Sequence, residues 1–248
     1  MVKESAGVVG LVLSWDFPLL MAAWQLAPAL AAGCSCLVKP VEQTPLTAMR
    51  LAQLAQLAGI PDGVPNVLPG LGETKDQAIG HHPNIDVVFF TGSTEVGGYF
   101  LRYSGESSLK VIGLEMGGKI PFIVLDDADL NDDRAELFGQ YAPSVDAKLA
   151  TEFAARVVAR AQRFVVGDPL DPDTNIGAMV TAEHQDRVMS YIKKGSTEGA
   201  KVISGGYSMG PFYFIQPTVF AGLDAKMTIA REEIFGPVLG ILPVEGMK

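Results

Sequence analysis

Short apolar runs alternate with amphipathic stretches along the first half of the chain. The apolar runs predict β-strands at residues 7–13, 34–38, 66–68, 86–90 and 110–114. The stretches between them predict helices at residues 18–32, 45–58, 73–79 and 94–103. The strands are apolar throughout, as expected where a parallel sheet is covered by helices on both faces. The pattern therefore predicts a doubly wound α/β sheet.

The second half of the chain is less regular. It predicts strands at residues 121–125, 201–203, 212–220 and 237–243, and helices at residues 150–162 and 182–198. The pair Gly117-Gly118 stands where the regular alternation ends. We therefore expect a first domain over residues 1–116 and a second α/β domain over residues 117–248.

One uncharged stretch, residues 17–38, is long enough to span a bilayer. It contains Pro18, Gln25, Pro28 and Gly33 and is rich in alanine. A buried helix followed by a buried strand explains it better, because the same pattern repeats downstream. The preceding residues carry no net positive charge, so no signal peptide is expected.

The composition narrows the possible partners and the compartment. The chain has 248 residues, 48% of them hydrophobic, and a formal net charge of -9. Such a chain can form a large core, and its acidity argues against nucleic acid and membrane surfaces as partners. The only cysteines, Cys34 and Cys36, are too close together for a useful disulfide, which indicates a reducing compartment such as the cytoplasm. The three histidines show no metal-ligand spacing, so no metal site is expected.

Two strand ends carry residues suited to a nucleotide. Gly92 and Ser93 follow the fourth strand, where a helix N-terminus favours an anion such as pyrophosphate. Lys39 and Glu42 follow the second strand, where a carboxylate can accept from ribose hydroxyls and repel a 2′-phosphate, favouring NAD over NADP. Taken singly, a plain helix cap and a solvated strand end are the simpler interpretations.

Glu115 ends the fifth predicted strand, just before Gly117-Gly118. A carboxylate in apolar surroundings there would have a raised pKa and would suit a general base. The alternative is a structural glutamate paired with Lys119.

Taken together, these segments resemble the NAD(P)-dependent aldehyde dehydrogenase superfamily over almost the whole chain. The motifs that carry the resemblance occur in family order: Trp15-Asp16-Phe17-Pro18, Lys39-Pro40-Val41-Glu42, Phe90-Thr91-Gly92-Ser93-Thr94-Glu95-Val96-Gly97, Leu114-Glu115-Met116-Gly117-Gly118-Lys119, Gly167-Asp168-Pro169-Leu170, Gln216-Pro217-Thr218-Val219-Phe220 and Arg231-Glu232-Glu233-Ile234-Phe235-Gly236-Pro237. The resemblance implies a Rossmann-like parallel sheet over residues 1–116 and part of a catalytic domain over residues 117–248.

The resemblance also implies roles for residues within these motifs. Lys39 and Glu42 correspond to adenosine-ribose contacts, and Glu115 to the general base. Glu233 and Phe235 correspond to nicotinamide-ribose contacts. The other implied cofactor contacts are Trp15, Gly72, Gly92, Ser93, Val96 and Met116. The implied reaction oxidises an aldehyde to a carboxylic acid with NAD, or less readily NADP, after a cysteine thiolate attacks the aldehyde.

Two departures from the family pattern bear on catalysis. The family's nucleophilic cysteine is expected between Asp129 and Phe153, where this chain has none and is shorter. Two interpretations remain open: Gly139-Gln140-Tyr141-Ala142 is a remnant of the loop, with Ala142 at the position of the nucleophile, or the whole loop is deleted. Asp16 replaces the asparagine whose amide donates to the oxyanion, and an ionised carboxylate only accepts hydrogen bonds. Losing one such donor typically lowers the rate by about 10²–10³.

The resemblance covers about half of a family member, so we expect a truncated chain that lacks the oligomerisation elements of a homo-oligomeric family. Three hypotheses remain open: an active aldehyde dehydrogenase acting on a small aldehyde, a catalytically inactive NAD-binding or structural relative, and an incomplete chain.

Overall fold

The computed structural model describes residues 4–130 and 141–246. The chain divides into two compact units, residues 1–117 and 118–248. Each has its own hydrophobic core.

The first unit is a five-stranded parallel sheet with two helices on each face. Its strands are β1 (Val8–Val12), β2 (Ser35–Lys39), β3 (Pro65–Val67), β4 (Val87–Gly92) and β5 (Val111–Met116). The helices between them are α1 (Pro18–Ala31), α2 (Leu46–Leu57), α3 (Gly72–His81) and α4 (Thr94–Glu106). The strand order is β3-β2-β1-β4-β5, with every pair parallel. This confirms the doubly wound α/β fold.

The two faces of this sheet are packed by different helix pairs. On one face α1 and α2 cover β1 and β2, burying Val9, Leu11, Ala22, Leu26, Cys36 and Ala48 among others. On the other, α3 and α4 contribute Ile79 and Phe100 to a cluster with Val12, Val88 and Phe90. Because both faces are covered, the central strands contain almost no polar residue, which explains the apolar runs in the sequence.

Helix α1 accounts for most of the long uncharged stretch. Ala22 and Leu26 are buried against the sheet, and Gly33, at φ 78°, turns the chain into β2. In residues 4–130 and 141–246, no helix is both long and apolar enough to cross a bilayer.

In its described residues, 118–130 and 141–246, the second unit combines three small sheets with three helices. Its elements in chain order are β6 (Ile120–Val124), β7 (Tyr141–Asp146), α5 (Ala150–Ala161), α6 (Ala182–Thr197), β8 (Lys201–Ser204), β9 (Ser208–Met209), β10 (Phe214–Ile215), β11 (Thr218–Ala221), α7 (Thr228–Arg231), β12 (Val238–Gly240) and β13 (Leu242–Val244). The sheet orders are β13-β7-β6, β12-β11-β8 and β10-β9. Helix α5 packs on the first two sheets through Phe153 and Val157, which lie against Val145, Val219 and Leu239.

Candidate functional site

The carboxyl ends of β1, β2, β4 and β5 bring most of the predicted site residues to one edge of the first unit. Because the strands are parallel, the segments after Val12, Lys39, Gly92 and Met116 lie at the same edge. The chain runs outward from β1 to β3, then returns through α3 to β4 on the other side of β1. The crevice between β1 and β4 is thus the topological switch point, where open α/β sheets bind their ligands.

Lys39 ends β2 and is almost fully buried, with 2% of its side chain exposed. Its ammonium donates to Glu42 Oε1 at 3.1 Å and lies 3.5 Å from Asp76 Oδ1. Burial raises the pKa of Glu42, but hydrogen bonds from its own N–H and from Lys39, together with one from the Gly72 N–H, outweigh this effect and hold the pKa below its usual value. Glu42 is therefore an ionised acceptor at neutral pH.

Gly72 opens α3 beside this pair. A Cβ at this position would lie 3.0 Å from Asp76 Oδ2 and 3.9 Å from Glu42 Oε1. A glycine thus leaves room for two carboxylates to approach the start of the helix. Burial raises the pKa of Asp76, Lys39 opposes that shift, and the charges of Glu42 and Glu73 add to it. Asp76 is a site residue that the sequence patterns did not identify.

The N-terminus of α4 follows β4. Ser93 is its N-cap, and the Ser93 hydroxyl accepts a 3.3 Å hydrogen bond from the Val96 N–H. The Gln25 amide of α1 donates to the Thr91 hydroxyl at 2.9 Å, so α1 is tied to β4 at the switch point. The first N–H groups of an α-helix have no intrahelical acceptor, and here they lie at the ligand-binding edge.

Trp15 and Asp16 link β1 to α1, and both are half-buried. The N-cap of α1 is Phe17, in the left-handed region at φ 47°, and Pro18 begins the helix. This turn holds Asp16 at the switch point, where the resemblance expects an asparagine.

Glu115 and Met116 end β5, on the far side of β4. The Glu115 side chain is exposed, so the apolar surroundings expected around it are not present in this structure. Met116 packs toward Gly97 of α4, where an added Cβ would lie only 2.5 Å from the methionine sulfur. Gly97 therefore allows α4 to approach the end of β5.

Glu233 and Phe235 lie in the second unit, after α7. Phe235 has φ 56°, an uncommon conformation for a residue with a side chain. Its carbonyl oxygen lies 2.6 Å from His184 Nε2, and the two ring centroids are 6.1 Å apart. Because a carbonyl only accepts, the His184 Nε2–H is the donor. His184 is a second residue that the sequence did not single out.

The pKa values in this region follow from burial. Burial lowers the pKa of His184, the hydrogen bond to Phe235 opposes that shift, and the charge of Arg187 adds to it. Burial also lowers the pKa of Lys119, with the nearby Glu233 acting in the opposite sense. Lys119 thus lies close enough to Glu233 to interact with its charge.

The two thiols are poorly placed for nucleophilic attack. Cys34 and Cys36 are free but buried, with 3% and 0% of their surface exposed. Burial, together with Cys34, raises the pKa of Cys36 to about 11, so it is protonated at neutral pH. Gly139 and Gln140, at the start of the proposed remnant of the nucleophile loop, lie outside the described residues. Within residues 4–130 and 141–246, no group of three or more His, Cys, Asp or Glu side chains is arranged to hold a metal ion.

A doubly wound parallel sheet with polar groups at its switch point is the architecture of nucleotide-binding α/β proteins. The whole chain, residues 1–248, matches the sequence profile of the Aldehyde dehydrogenase family. Aldehyde dehydrogenase 1A1 of Equus caballus is 45% identical over 260 residues, which cover 98% of this chain and 51% of that protein. An aldehyde dehydrogenase of Enchytraeus buchholzi is 45% identical over 249 residues, covering 95% of this chain and 50% of its own.

Solved structures agree with this match. The NAD+ complex of aldehyde dehydrogenase from Bacillus cereus superposes with a TM-score of 0.94 at 40% identity, covering 98% of this chain and 52% of that chain. Aldehyde dehydrogenase KauB from Pseudomonas aeruginosa also gives a TM-score of 0.94, at 43% identity and the same coverage. The chain belongs to the aldehyde dehydrogenase family, as the motifs predicted. It spans about half the length of the curated relatives that it matches.

Proposed function

We propose that this chain binds NAD+ at the carboxyl edge of the five-stranded sheet. The observation that carries the proposal is the buried Lys39–Glu42 pair at the end of β2, supported by the N–H of Gly72. An ionised carboxylate held in place by an ammonium is a suitable acceptor for ribose hydroxyls. The carboxylate also disfavours a 2′-phosphate, so NAD+ is preferred over NADP+.

Further residues are proposed to contact the pyrophosphate and the nicotinamide ribose of NAD+. The N-terminus of α4, capped by Ser93, supplies N–H groups for the pyrophosphate, with Gly92 and Val96 beside it. In the second unit, Glu233 and Phe235 are proposed to contact the nicotinamide ribose. Trp15 and Met116 complete the proposed contacts in the first unit. Residues of these types fit a dinucleotide, and NAD+ when bound supplies a hydride acceptor.

The reaction proposed for this site is oxidation of an aldehyde to a carboxylic acid. Glu115 is proposed as the general base, and its exposed side chain is accessible to water. Asp16 is proposed to lie near the aldehyde oxygen, at the switch point.

A second candidate is NAD+ binding without turnover. Its support is that Cys34 and Cys36 are buried and that the pKa of Cys36 is raised to about 11. Without an accessible thiolate, the thioester route to a carboxylic acid has no nucleophile in these two residues. We favour this candidate. The two free thiols support a reducing compartment such as the cytoplasm.

Calorimetric titration of NAD+ into the wild-type chain and into Glu42→Gln tests the proposed binding. Glutamine keeps the shape but loses the charge, so we expect binding about tenfold weaker. Glu106→Gln, an exposed change of the same type at the C-terminal end of α4, is the matched control and is expected to bind as the wild type does. Equal affinities for all three proteins, or no binding to the wild type, would refute the proposal.

Absorbance of NADH during incubation with NAD+ and a panel of aldehydes separates the two candidates. NADH formation that depends on aldehyde would establish turnover. Cofactor binding with no NADH formation, which we expect, would establish the second candidate.

A further inference from the structure

Asp76 lies beside the proposed ribose contacts but is not one of them. It lies in the second turn of α3, with 14% of its side chain exposed, and its Oδ1 is 3.5 Å from the Lys39 ammonium. The family motifs assign Lys39 and Glu42 to the adenosine ribose but give Asp76 no role. Two carboxylates, from different segments, therefore meet at one buried cation.

The charge balance of this cluster disfavours a second anion. Lys39 carries one positive charge, and its ammonium is already paired with both Glu42 and Asp76. With both carboxylates ionised, the three side chains together carry one excess negative charge. The 2′-phosphate of a nucleotide would thus meet a cluster with a net negative charge, in which Glu42 and Asp76 already neutralise the charge of Lys39.

The hydrogen-bonding state of Asp76 indicates the same preference. Its Oδ1 atom is buried and lies 3.5 Å from the Lys39 ammonium, a long contact that does not have the geometry of a good hydrogen bond. A buried carboxylate oxygen held only by such a long contact is stabilised by a further donor, so a ligand that donates a hydrogen bond is favoured there. A ribose hydroxyl donates, whereas a phosphate dianion only accepts.

We propose that Asp76 is a specificity-determining residue that, together with Glu42, selects an adenosine ribose with free hydroxyls and rejects the 2′-phosphate of NADP+. This inference rests on the proposed NAD+ site and deepens it. Glu42 anchors the ribose, and Asp76 removes the positive charge that a 2′-phosphate would need. Gly72 makes the arrangement possible, because a side chain there would crowd the Asp76 carboxylate.

Asp76→Asn tests the proposal, because it removes the charge and keeps the shape. Calorimetric dissociation constants for NAD+ and for NADP+ are measured at one fixed ionic strength, and their ratio is the readout. The wild type is expected to bind NAD+ more tightly than NADP+, and in Asp76→Asn we expect the ratio to move about tenfold toward NADP+. The double variant Glu42→Gln/Asp76→Asn is expected to move it further.

Glu106→Gln is the matched control, since Glu106 is an exposed carboxylate at the C-terminal end of α4, away from the carboxyl edge of the sheet, and its charge is screened by solvent. Its ratio is expected to stay at the wild-type value. Asp76→Ser serves as a second variant if Asp76→Asn unfolds in a thermal scan, and it is expected to shift the ratio in the same direction.

The outcomes separate this inference from the proposed function. If the wild type binds NAD+ more tightly and Asp76→Asn or Asp76→Ser leaves the ratio unchanged, the role of Asp76 is refuted and the NAD+ site stands. If the wild type prefers NADP+, the role of Asp76 is refuted as well. If the wild type binds neither nucleotide, both proposals fail.

Discussion

Lys39 is a charged residue whose side chain is almost fully buried, and the residues that pair with it define the candidate site. An ammonium removed from water is costly unless it is paired, and Glu42 and Asp76 both provide pairing. Glu42 in turn receives hydrogen bonds from its own N–H and from Gly72. These contacts fix the carboxylate before any ligand arrives.

In the second unit, His184 fixes the backbone at a proposed contact residue, Phe235. Phe235 adopts a left-handed backbone conformation that costs about 1–2 kcal/mol for a residue with a Cβ. The His184 ring donates to its carbonyl at 2.6 Å and thereby stabilises that conformation. His184 is thus a positioning residue for a proposed nicotinamide-ribose contact.

We predict a pH-dependent contribution of His184 to stability. Because its pKa in the folded chain is below the ordinary value of 6.5, the unfolded chain binds a proton more readily. Stability from this group is present above about pH 6.5 and is lost as the pH falls toward the folded pKa. Denaturant unfolding at about pH 7.5 and about pH 5.5 measures the effect.

His184→Gln is the control, because glutamine keeps a donor but does not titrate. Its stability should fall less than that of the wild type between the two pH values. Equal losses in the two proteins would contradict the role assigned to His184.

At the scale of the elements, α4 depends on its N-cap. The hydroxyl of Ser93 satisfies one N–H of the first turn, and the helix start it defines is also the proposed pyrophosphate site. The cap is therefore structural whether or not a nucleotide is present.

We predict that Ser93→Ala lowers the free energy of unfolding by about 1 kcal/mol, the usual effect of losing such a cap. Denaturant unfolding without nucleotide measures it. Ser190→Ala, an exposed change inside α6, is the control and should leave the stability unchanged or slightly increased, since alanine favours helix. A loss as large in Ser190→Ala as in Ser93→Ala would argue against a capping role.

The strands of the first unit were predictable because their burial on both faces leaves continuous apolar runs. In the second unit β7 was missed. Its sequence, Tyr-Ala-Pro-Ser-Val-Asp, mixes polar residues with a proline, yet it lies between β6 and β13. Proline is usually confined to sheet edges, so this pattern argues against a central strand. Residues 212–220, predicted as one strand, form β10 and β11 instead.

The residues of the candidate site were likewise only partly predictable from the sequence. Lys39 and Gly92 end strands and Glu42 follows one. They were recognised from these positions because the ends of parallel strands share one edge. Asp76 and His184 lie on helices with no local sign of function, and only the folded chain brings them to Lys39 and Phe235. Contacts between residues so distant in sequence leave no short motif.

For the whole molecule, two compact units with separate cores share one chain. The net charge of -9 does not prevent binding of an anionic dinucleotide, because the proposed phosphate contacts are backbone N–H groups at a helix end. The chain matches about half the length of its relatives, and it contains a five-stranded parallel sheet.

Amide hydrogen exchange of the wild-type chain, measured with and without saturating NAD+, tests whether NAD+ binds at the carboxyl edge of this sheet. We predict slower exchange in three segments: residues 39–42, residues 72–76 and the first turn of α4 from Ser93. Unchanged exchange in all three segments, or protection confined to the opposite edge of the sheet, would contradict it.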